Sequence, residues 1–367
     1  MEFIQKNYGT NMGANTLKNI FDEFDHESNY VNHSELNSGH INDTFIIETD
    51  GSKNYILQKI NHNIFKDIPG LVNNKALTSS HLKSKYPKLS EEELSKKVLS
   101  FVKVKNGNLY YYKNGNDFWN VMVFIDNSVT HEIVKDKEIA YEGGKLLGEF
   151  LNHTADFDSS QLIDVIPSFH DISFRYRQYA SSLQSALKSR LQKASKYIEI
   201  VSELKEEMHI LQNLKNTGEI PTRVTHNDTK ISNSLFTKDN KGICMIDTDT
   251  VMPGIIHYDY GDAIRTICNT AAEDEKDLSK VEFNLEYYEA YKKGFLEQTR
   301  KSLTSIELKY LPLAVKTMIF IMGLRFLTDY LNNDVYYKIN YTEHNLDRAK
   351  NQFKLIKSFT EKINKKI

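Results

Sequence analysis

The stretch of residues 224–265 constrains this chain more than any other. It contains two short apolar runs, 234–236 and 243–246, which are separated by a polar turn at 238–242. Short apolar runs bounded by polar turns are typical of strands. Polar side chains at the ends of such strands stay accessible, and binding and catalytic residues concentrate there. We therefore expect functional side chains before the first run and directly after the second.

Polar residues of the required kind occur at both places with a defined spacing. Asp228 follows His226 by two residues, Asn233 comes five residues later, and Asp247 ends the second apolar run. An aspartate can accept a hydroxyl proton, and an asparagine and an aspartate can give Mg²⁺ the one or two protein ligands that it usually takes beside phosphates. This is the spacing of a phosphoryl-transfer loop and its metal-binding aspartate. Lys230 can neutralise charge on the moving phosphoryl group.

A plainer interpretation is that these polar residues only cap turns, as aspartate and asparagine often do. The asparagine at +5 and the lysine at +2 from Asp228 favour the catalytic interpretation.

The stretch resembles the aminoglycoside/choline-kinase superfamily of small-molecule kinases. The likeness covers roughly residues 30–350, and its flanking blocks are similar to the N-acetylhexosamine 1-kinase branch. The residues that carry it are T-H-N-D-T-K-I-S-N (225–233), I-D-T-D-T-V-M-P-G (246–254), Y-D-Y-G-D-A-I-R (258–265), S-G-H-I-N-D-T-F (38–45), Y-I-L-Q-K-I-N (55–61) and R-F-L-T-D-Y-L (325–331).

This resemblance implies a protein-kinase-like two-lobe α/β (α+β) fold. A small antiparallel-sheet lobe, residues 1–125, would cover ATP, and a larger, mainly helical lobe, residues 126–367, would carry the catalytic loop and the acceptor pocket. The implied reaction transfers the γ-phosphate of ATP with Mg²⁺ to the anomeric 1-hydroxyl of an N-acetylhexosamine. Asp259 would hold the backbone of the catalytic loop, and His226 would support it.

The nucleotide would be contacted by a polar, glycine-bearing turn between two strands of the small lobe. Gly39 lets the backbone approach a phosphate, whereas an ordinary hairpin loop is the alternative. The strand at 118–125 leads into the linker between the lobes, where the backbone of Phe124 and Ile125 would read the adenine edge. The turn residues expected to contact the nucleotide are Ser38, Gly39, His40, Asn42 and Thr44.

The third strand departs from the kinase pattern, which places a lysine there and pairs it with a helix glutamate. Gln58 and Lys59 are adjacent, so only one of them can face the nucleotide, and the resemblance favours Gln58. The following helix, residues 68–85, contains no glutamate. Either Gln58 contacts phosphate as a neutral donor or another cation takes over.

The acceptor side is less constrained by the sequence. His170 and Arg175 could face the sugar or could be surface and capping groups. Arg325 could face the sugar pocket, or it could pair with Asp329 four residues later on the same helix face. Asp249 could orient Asp247 or Lys230, bind the sugar, or cap a turn.

Composition limits the possible partners. The net charge is −2, so neither nucleic acid nor an anionic membrane is expected to bind. Two cysteines make no disulfide framework, no apolar run approaches the roughly 18 residues that span a bilayer, and the N-terminus lacks a secretory pattern. We expect a cytoplasmic monomer or simple homodimer that binds ATP and a small sugar.

Other functions stay open at this point. They are another small-molecule kinase of the same fold, acting on an aminoglycoside, an amino alcohol or a different sugar; a non-catalytic nucleotide-binding regulator; and a magnesium-dependent hydrolase built on Asp247 and Asp249.

The pattern also predicts individual elements. Helices are expected at 14–27, 137–152, 311–330 and 345–366, strands at 94–104 and 109–113, and a turn at 255–258 that leads to a helix with Asp262 as its cap.

Overall fold

The computed structural model describes residues 12–36 and 41–365. The expected nucleotide contacts Ser38, Gly39 and His40 lie outside the described residues. The helices are α1 Ala14–Phe21, α2 Ile68–Ser84, α3 Glu91–Lys97, α4 Lys137–His153, α5 Ile172–Ser185, α6 Lys188–Asn216, α7 Ile256–Ile267, α8 Leu285–Thr299, α9 Ser305–Lys309, α10 Leu311–Leu331 and α11 His344–Asn364. The strands are β1 Tyr30–Glu35, β2 Asp43–Thr49, β3 Tyr55–Ile60, β4 Phe101–Val102, β5 Tyr112–Asn114, β6 Asp117–Val123, β7 Ser128–Val129, β8 Arg223–Thr225, β9 Ser234–Thr237, β10 Gly242–Met245 and β11 Met252–Gly254.

The N-terminal lobe is an antiparallel sheet in the order β1-β2-β3-β6-β4, with β5 paired to β6. Alternate residues of β2, β3 and β6 point into one apolar core that α1 covers, because successive side chains of a strand face opposite ways. The core consists of Leu17, Ile20, Phe21, Phe24, Phe45, Ile47, Tyr55, Leu57, Trp119 and Val121. The opposite face of the sheet is left to form the roof of a cleft.

The C-terminal lobe is mainly helical, so the predicted two-lobe fold is confirmed. Its centre is α10, which packs against α5, α6, α7 and α11. This helix is long and apolar enough to cross a membrane, but 67% of its most apolar 18-residue window is buried inside the protein. Its apolar character is therefore explained by the core that it occupies.

Two element predictions in the small lobe are wrong. The first helix ends at Phe21, and Phe24 already bridges to Val104. Within the expected strand 94–104, residues up to 97 form α3, because Ser90 and Glu93 cap each other's backbone N–H in a capping box. Three glutamates in the first turn and two lysines in the last also suit the helix dipole.

The segment after Asp247 is also more regular than its sequence indicates. Met252–Gly254 pairs with β8 as β11, and α7 begins at Ile256 where a turn was expected. Asp262 consequently lies inside α7 and binds Arg265, rather than capping the helix. The earlier start brings Asp259 into the first turn of α7, where it reaches the loop that follows β8.

Helices α4 and α8 pack closely through glycines. A Cβ atom built on Gly294 would lie 2.1 Å from the Tyr141 carbonyl oxygen, and one on Gly144 would lie 2.1 Å from that of Tyr291. Because the obstructing atoms are backbone, neither contact can be relieved by a side-chain rotation. Helix α4 in turn packs on β10, so this pair supports the floor of the cleft.

We expect Gly294→Ala to destabilise the fold by about 1–3 kcal/mol, since overpacking forces the two helices apart. Gly107→Ala is the control, because a Cβ atom there makes only ordinary contacts, the nearest at 3.7 Å from Val104. Denaturant unfolding measures both variants. Equal stability of Gly294→Ala and the wild type would show that the interface gives way without cost.

Candidate active site

The catalytic loop runs from His226 to Asn233 between β8 and β9. Its backbone is held from behind by Asp259: the N–H groups of His226 and Asn227 donate to the two oxygens of that carboxylate, each at 2.7 Å. Asn227 has a φ of 64°, a left-handed conformation that asparagine tolerates better than most residues. The Thr229 hydroxyl adds a bond of 2.7 Å to the Asp259 carbonyl. One residue of α7 therefore fixes three positions that flank Asp228, namely 226, 227 and 229.

Burial dominates the electrostatics behind the loop. It raises the pKa of Asp259 to about 7, while the two donated N–H groups favour the charged carboxylate. Burial also lowers the pKa of His226, whose Nε2 lies 2.8 Å from the Ile246 carbonyl oxygen. A neutral His226 that donates to this carbonyl ties the loop to the end of β10.

Asp228 faces the cleft with its side chain 31% exposed. The Asn233 amide nitrogen donates to the Asp228 backbone oxygen at 2.9 Å and to its carboxylate at 2.8 Å. The Lys230 ammonium lies 3.2 Å from the same carboxylate. Burial lowers the pKa of Lys230, but the charges of Asp228 and Asp247 outweigh it, so the net shift is upward and the lysine stays charged.

Asp247 follows β10 in a left-handed conformation, with φ 58° and ψ 55°. Burial raises its pKa, and the nearby charges of Asp249 and Asp228 raise it further. Asp228, Asn233 and Asp247 all line one cleft of about 1000 Å³. The spacing in the sequence therefore brings these three side chains to one place.

The donor set of this cleft fits Mg²⁺. The Asn233 amide nitrogen donates twice to Asp228, so the Asn233 side-chain oxygen is the atom that could face a cation. Asp247 adds a carboxylate, and the nearby charges of Asp249 and Asp228 disfavour its ionised form. No cluster of three or more His, Cys, Asp or Glu side chains suited to a metal occurs in residues 12–36 and 41–365. Mg²⁺ does not need one, since it takes few protein ligands beside phosphates.

An apolar slot forms the other end of the cleft. Ile46 and Ile56 line it from the N-terminal lobe, and Leu235 and Ile246 line it from the C-terminal lobe. Its walls are the right chemistry for the flat faces of a purine. Asn42 and Thr44, two of the expected nucleotide contacts, also line the cleft.

Phe124 and Ile125 lie at the inner edge of this slot. The Phe124 N–H donates to the Asn54 carbonyl at 2.9 Å, and the Ile125 carbonyl accepts from the Ser128 hydroxyl at 2.6 Å. Within the described part of the chain, the Phe124 carbonyl and the Ile125 N–H are left to bind the edge of a ligand.

Gln58 faces the cleft, whereas Lys59 points the other way and binds Asp117 at 2.8 Å. The Gln58 side-chain oxygen accepts from the ammonium of Lys75 at 3.2 Å, and Lys75 also forms an ion pair with Asp249. Asp249 is thus engaged by a lysine of α2, a role that the sequence did not indicate.

Lys75 is the main residue that sequence reasoning missed, because the kinase pattern predicts a glutamate on this helix and a lysine on the strand. A signal was present: Lys75 shares a helix face with Leu71, Thr78 and Ser79, at spacings of three and four residues. A lysine on such a buried face needs a partner.

His170, Arg175 and Arg325 lie near one another but not on the cleft wall. His170 is buried, which lowers its pKa to about 3, and its ring lies 4.4 Å from that of Phe169. Arg175 donates to the Phe169 carbonyl at 2.6 Å, and the Arg325 guanidinium lies 5.8 Å from the Phe169 ring. Burial, followed by the charge of Arg325, lowers the pKa of Arg175 to about 10.

The alternative ion pair within α10 is not formed. Asp329 instead accepts the backbone N–H groups of Tyr336 and Tyr337 at 2.8 and 2.9 Å. The Arg325 guanidinium lies 5.8 and 5.6 Å from the rings of these two tyrosines. The Arg325 guanidinium is therefore surrounded by aromatic rings.

The cleft wall beyond Asp228 consists of other residues that the sequence did not single out. Arg265 is held by Asp262 at 2.9 Å and by Glu273 at 2.8 Å, and Asn269 and Tyr287 line the same region. Their contribution arises from the fold, since α7, the loop after it and α8 meet only in three dimensions.

A two-lobed fold in which Asp228, Asn233 and Asp247 line one cleft is the arrangement expected of a kinase-like phosphotransferase. Residues 32–300 match the sequence model of the phosphotransferase enzyme family, and the chain belongs to that family. The predicted relationship to aminoglycoside and choline kinases is thereby confirmed at the level of the family and the fold.

Solved structures share the fold at low identity. An aminoglycoside phosphotransferase from Alicyclobacillus acidocaldarius has a TM-score of 0.58 at 13% identity, over 94% of this chain and 96% of that one. A choline kinase from Cryptosporidium parvum gives 0.53 at 15%, over 92% and 91%. An amicoumacin kinase in complex with AMP-PNP, Ca²⁺ and its ligand gives 0.57 at 11%, over 95% and 93%.

Proposed function

We propose that this phosphotransferase is an ATP- and Mg²⁺-dependent sugar kinase. It would phosphorylate the anomeric 1-hydroxyl of an N-acetylhexosamine, GlcNAc or GalNAc, and release the sugar 1-phosphate. The observation that carries the chemistry is Asp228, which faces the cleft with Lys230 at 3.2 Å and Asn233 at 2.8 Å from its carboxylate. The hexosamine assignment rests on the resemblance of the sequence blocks around these residues.

In this proposal Asp228 orients the acceptor hydroxyl and takes its proton, while Lys230 offsets the charge that develops on the phosphoryl oxygens. Asn233 and Asp247 would hold the magnesium. A bound Mg²⁺ supplies neutralisation of the phosphate charge. The amicoumacin kinase complex, with a nucleotide analogue and a divalent cation, supports this choice of cofactors. Most of the acceleration then comes from positioning, since phosphoryl transfer needs little covalent help.

The acceptor end of the cleft suits a neutral polyol. Arg265 pairs with both Asp262 and Glu273, and Asn269 supplies an amide, so donors and acceptors are mixed there. Asp249 lines the cleft and remains a proposed substrate contact. His170, Arg175 and Arg325 do not line it, so the structure gives no support for a direct contact between them and the substrate.

Asp247→Ala should raise the Mg²⁺ concentration needed for half-maximal rate by at least about tenfold, the lower end of what loss of an outer-shell partner costs. The reason is that Asp247 would be the only carboxylate among the two proposed ligands. Rates measured across a magnesium titration at saturating ATP and sugar test this. An unchanged titration would remove Asp247 from the metal site.

The proposed function is tested by incubating the protein with ATP-Mg²⁺ and a panel of acceptors, then locating the phosphate by phosphorus NMR. The panel should include GlcNAc, GalNAc, glucose, galactose, an aminoglycoside and an amino alcohol. A 1-phosphate formed only from N-acetylated sugars supports the proposal. Turnover only with an aminoglycoside or amino alcohol assigns a different kinase, and phosphate release without any acceptor assigns a hydrolase. Nucleotide binding without turnover assigns a regulator.

A further inference from the structure

Lys75 is an unusual lysine. Within residues 12–36 and 41–365 it is the one lysine that is fully buried, at 2% exposure. A buried ammonium is costly unless it is paired and hydrogen-bonded. It lies in the middle of α2, where an apolar residue would serve the core without that cost. Its place in the fold therefore calls for a reason beyond packing.

The partners of Lys75 come from both lobes. Gln58 of β3 accepts from its ammonium at 3.2 Å, and Asp249, two residues after Asp247, forms an ion pair with it. Asn42 also donates to Asp249 and accepts the N–H of Asn61 at 2.9 Å. The ammonium thus lies where the β2–β3 edge meets the loop of the proposed metal ligand.

Lys75 and its partners Gln58 and Asp249 line the same cleft as the apolar slot and Asp228. A nucleotide with its base in the slot and its terminal phosphate at Asp228 must place its inner phosphates within this cleft. An ammonium has three donors, and Gln58 and Asp249 use two of them. Among the described residues no third acceptor bonds to it, so the third donor can serve an oxygen of the ligand.

The other cations of the cleft wall lie elsewhere, Lys230 in the loop of Asp228 and Arg265 on α7. Lys230 lies against Asp228, and Arg265 is held by Asp262 and Glu273. Among the described residues that line the cleft, these two and Lys75 are the lysines and arginines. Lys75 is therefore the cation at the nucleotide end.

We propose that Lys75 binds the inner phosphates of the nucleotide, and that this protein supplies its nucleotide-positioning cation from α2 instead of from β3. Kinases commonly place the lysine on the strand and its glutamate on the helix. Here Gln58 on the strand is a neutral acceptor, the helix carries the cation, and Asp249 replaces the glutamate. The inference rests on the proposal that the cleft binds ATP.

The competing explanation is that Lys75 only neutralises Asp249. The two explanations predict different losses of affinity when Lys75 is replaced. Loss of a phosphate contact weakens the binding of ADP and ATP but not of adenosine, whereas a packing defect weakens the binding of all three. We expect Lys75→Met to weaken binding of ADP-Mg²⁺ and ATP-Mg²⁺ roughly tenfold to hundredfold, the range for a hydrogen bond to a charged group. Adenosine affinity should not change. Isothermal titration calorimetry measures all three.

Two variants complete the design. Lys83→Met makes the same substitution in the same helix at a residue that does not line the cleft, and it should bind every ligand as the wild type does. Lys75→Met with Asp249→Asn removes the unpaired buried carboxylate that the single change leaves, so it separates misfolding from lost contact. Thermal midpoints verify that each variant is folded.

Exchanging the side chains of residues 58 and 75 gives a second test. Gln58→Lys with Lys75→Gln moves the ammonium to the strand and should restore ADP affinity to within about fivefold of the wild type, since donor and acceptor remain neighbours. ADP affinity that stays at wild-type level in the folded Lys75→Met, Asp249→Asn variant would overturn the inference, as would equal loss for adenosine. If the inference about Lys75 fails in this way but the wild type still phosphorylates a sugar, the proposed function still stands. A wild type that binds no nucleotide overturns both the inference and the proposed function.

Discussion

Asp228→Asn should lower kcat by roughly 10²–10⁴, the usual contribution of a general base. The amide can still accept from Asn233, whose nitrogen lies 2.8 Å from the carboxylate, so the loop should keep its shape. It cannot take the proton of the acceptor hydroxyl, and it no longer offsets the charge of Lys230, 3.2 Å away. Rates of ADP release at saturating ATP and sugar give kcat. A direct titration should show ATP affinity close to that of the wild type.

Asp239→Asn is the matched control, because Asp239 is an exposed aspartate in the turn between β9 and β10. It should leave kcat and stability unchanged. A folded Asp228→Asn protein that turns over within a few-fold of the wild type would show that Asp228 is not the base. The proposed mechanism would then have no other carboxylate positioned between Lys230 and Asn233.

Local spacing was sufficient to predict that Asp228, Lys230, Asn233 and Asp247 line one cleft. Asp228, Lys230 and Asn233 lie within six residues, and Asp247 follows a strand that pairs with the strand after the loop. Contacts of this kind are set by a short stretch of chain, so the order of residue types largely determines the geometry. The two-lobe fold followed from the resemblance that these residues carry.

Long-range contacts could not be predicted from the sequence in the same way. Lys75 and Asp249 are 174 residues apart, and no local pattern indicates that a helix of one lobe supplies a cation to a loop of the other. The same holds for Arg265, which lies on the cleft wall because α7 packs beneath the loop. A pairing across lobes depends on the docking of whole elements, which single-sequence periodicity does not report.

Element boundaries were missed for a different reason. A serine followed three residues later by a glutamate, as at Ser90 and Glu93, is a local signal for the start of a helix, and the strand prediction at 94–104 did not use it. The early start of α7 had no such mark, since no side chain caps its N-terminus at Ile255. In that case the helix is fixed by burial, as every residue from Ile256 to Ile264 is buried. Tertiary packing therefore determines where α7 begins, because no local sequence signal marks that position.

Asp259→Asn should destabilise the protein by about 1–3 kcal/mol, the cost of one buried donor left without an acceptor. The carboxylate receives the His226 and Asn227 N–H groups on separate oxygens at 2.7 Å. An asparagine of the same shape has one acceptor oxygen, so its NH₂ group must face one of these donors. Because the two amides directly precede Asp228, the displaced loop should also lose roughly hundredfold in kcat, as misplacement by about 1 Å can cost.

The control for this prediction is Asp277→Asn. The Asp277 carboxylate also accepts a backbone N–H, that of Ser279 at 3.0 Å, but it is exposed and water can replace the lost bond. It should cost less than about 1 kcal/mol and leave kcat unchanged. Denaturant unfolding and steady-state kinetics on both variants separate the two effects. If Asp259→Asn loses stability but keeps full turnover, the loop does not depend on α7 for its catalytic geometry, and the spacing between His226 and Asn233 must hold it alone.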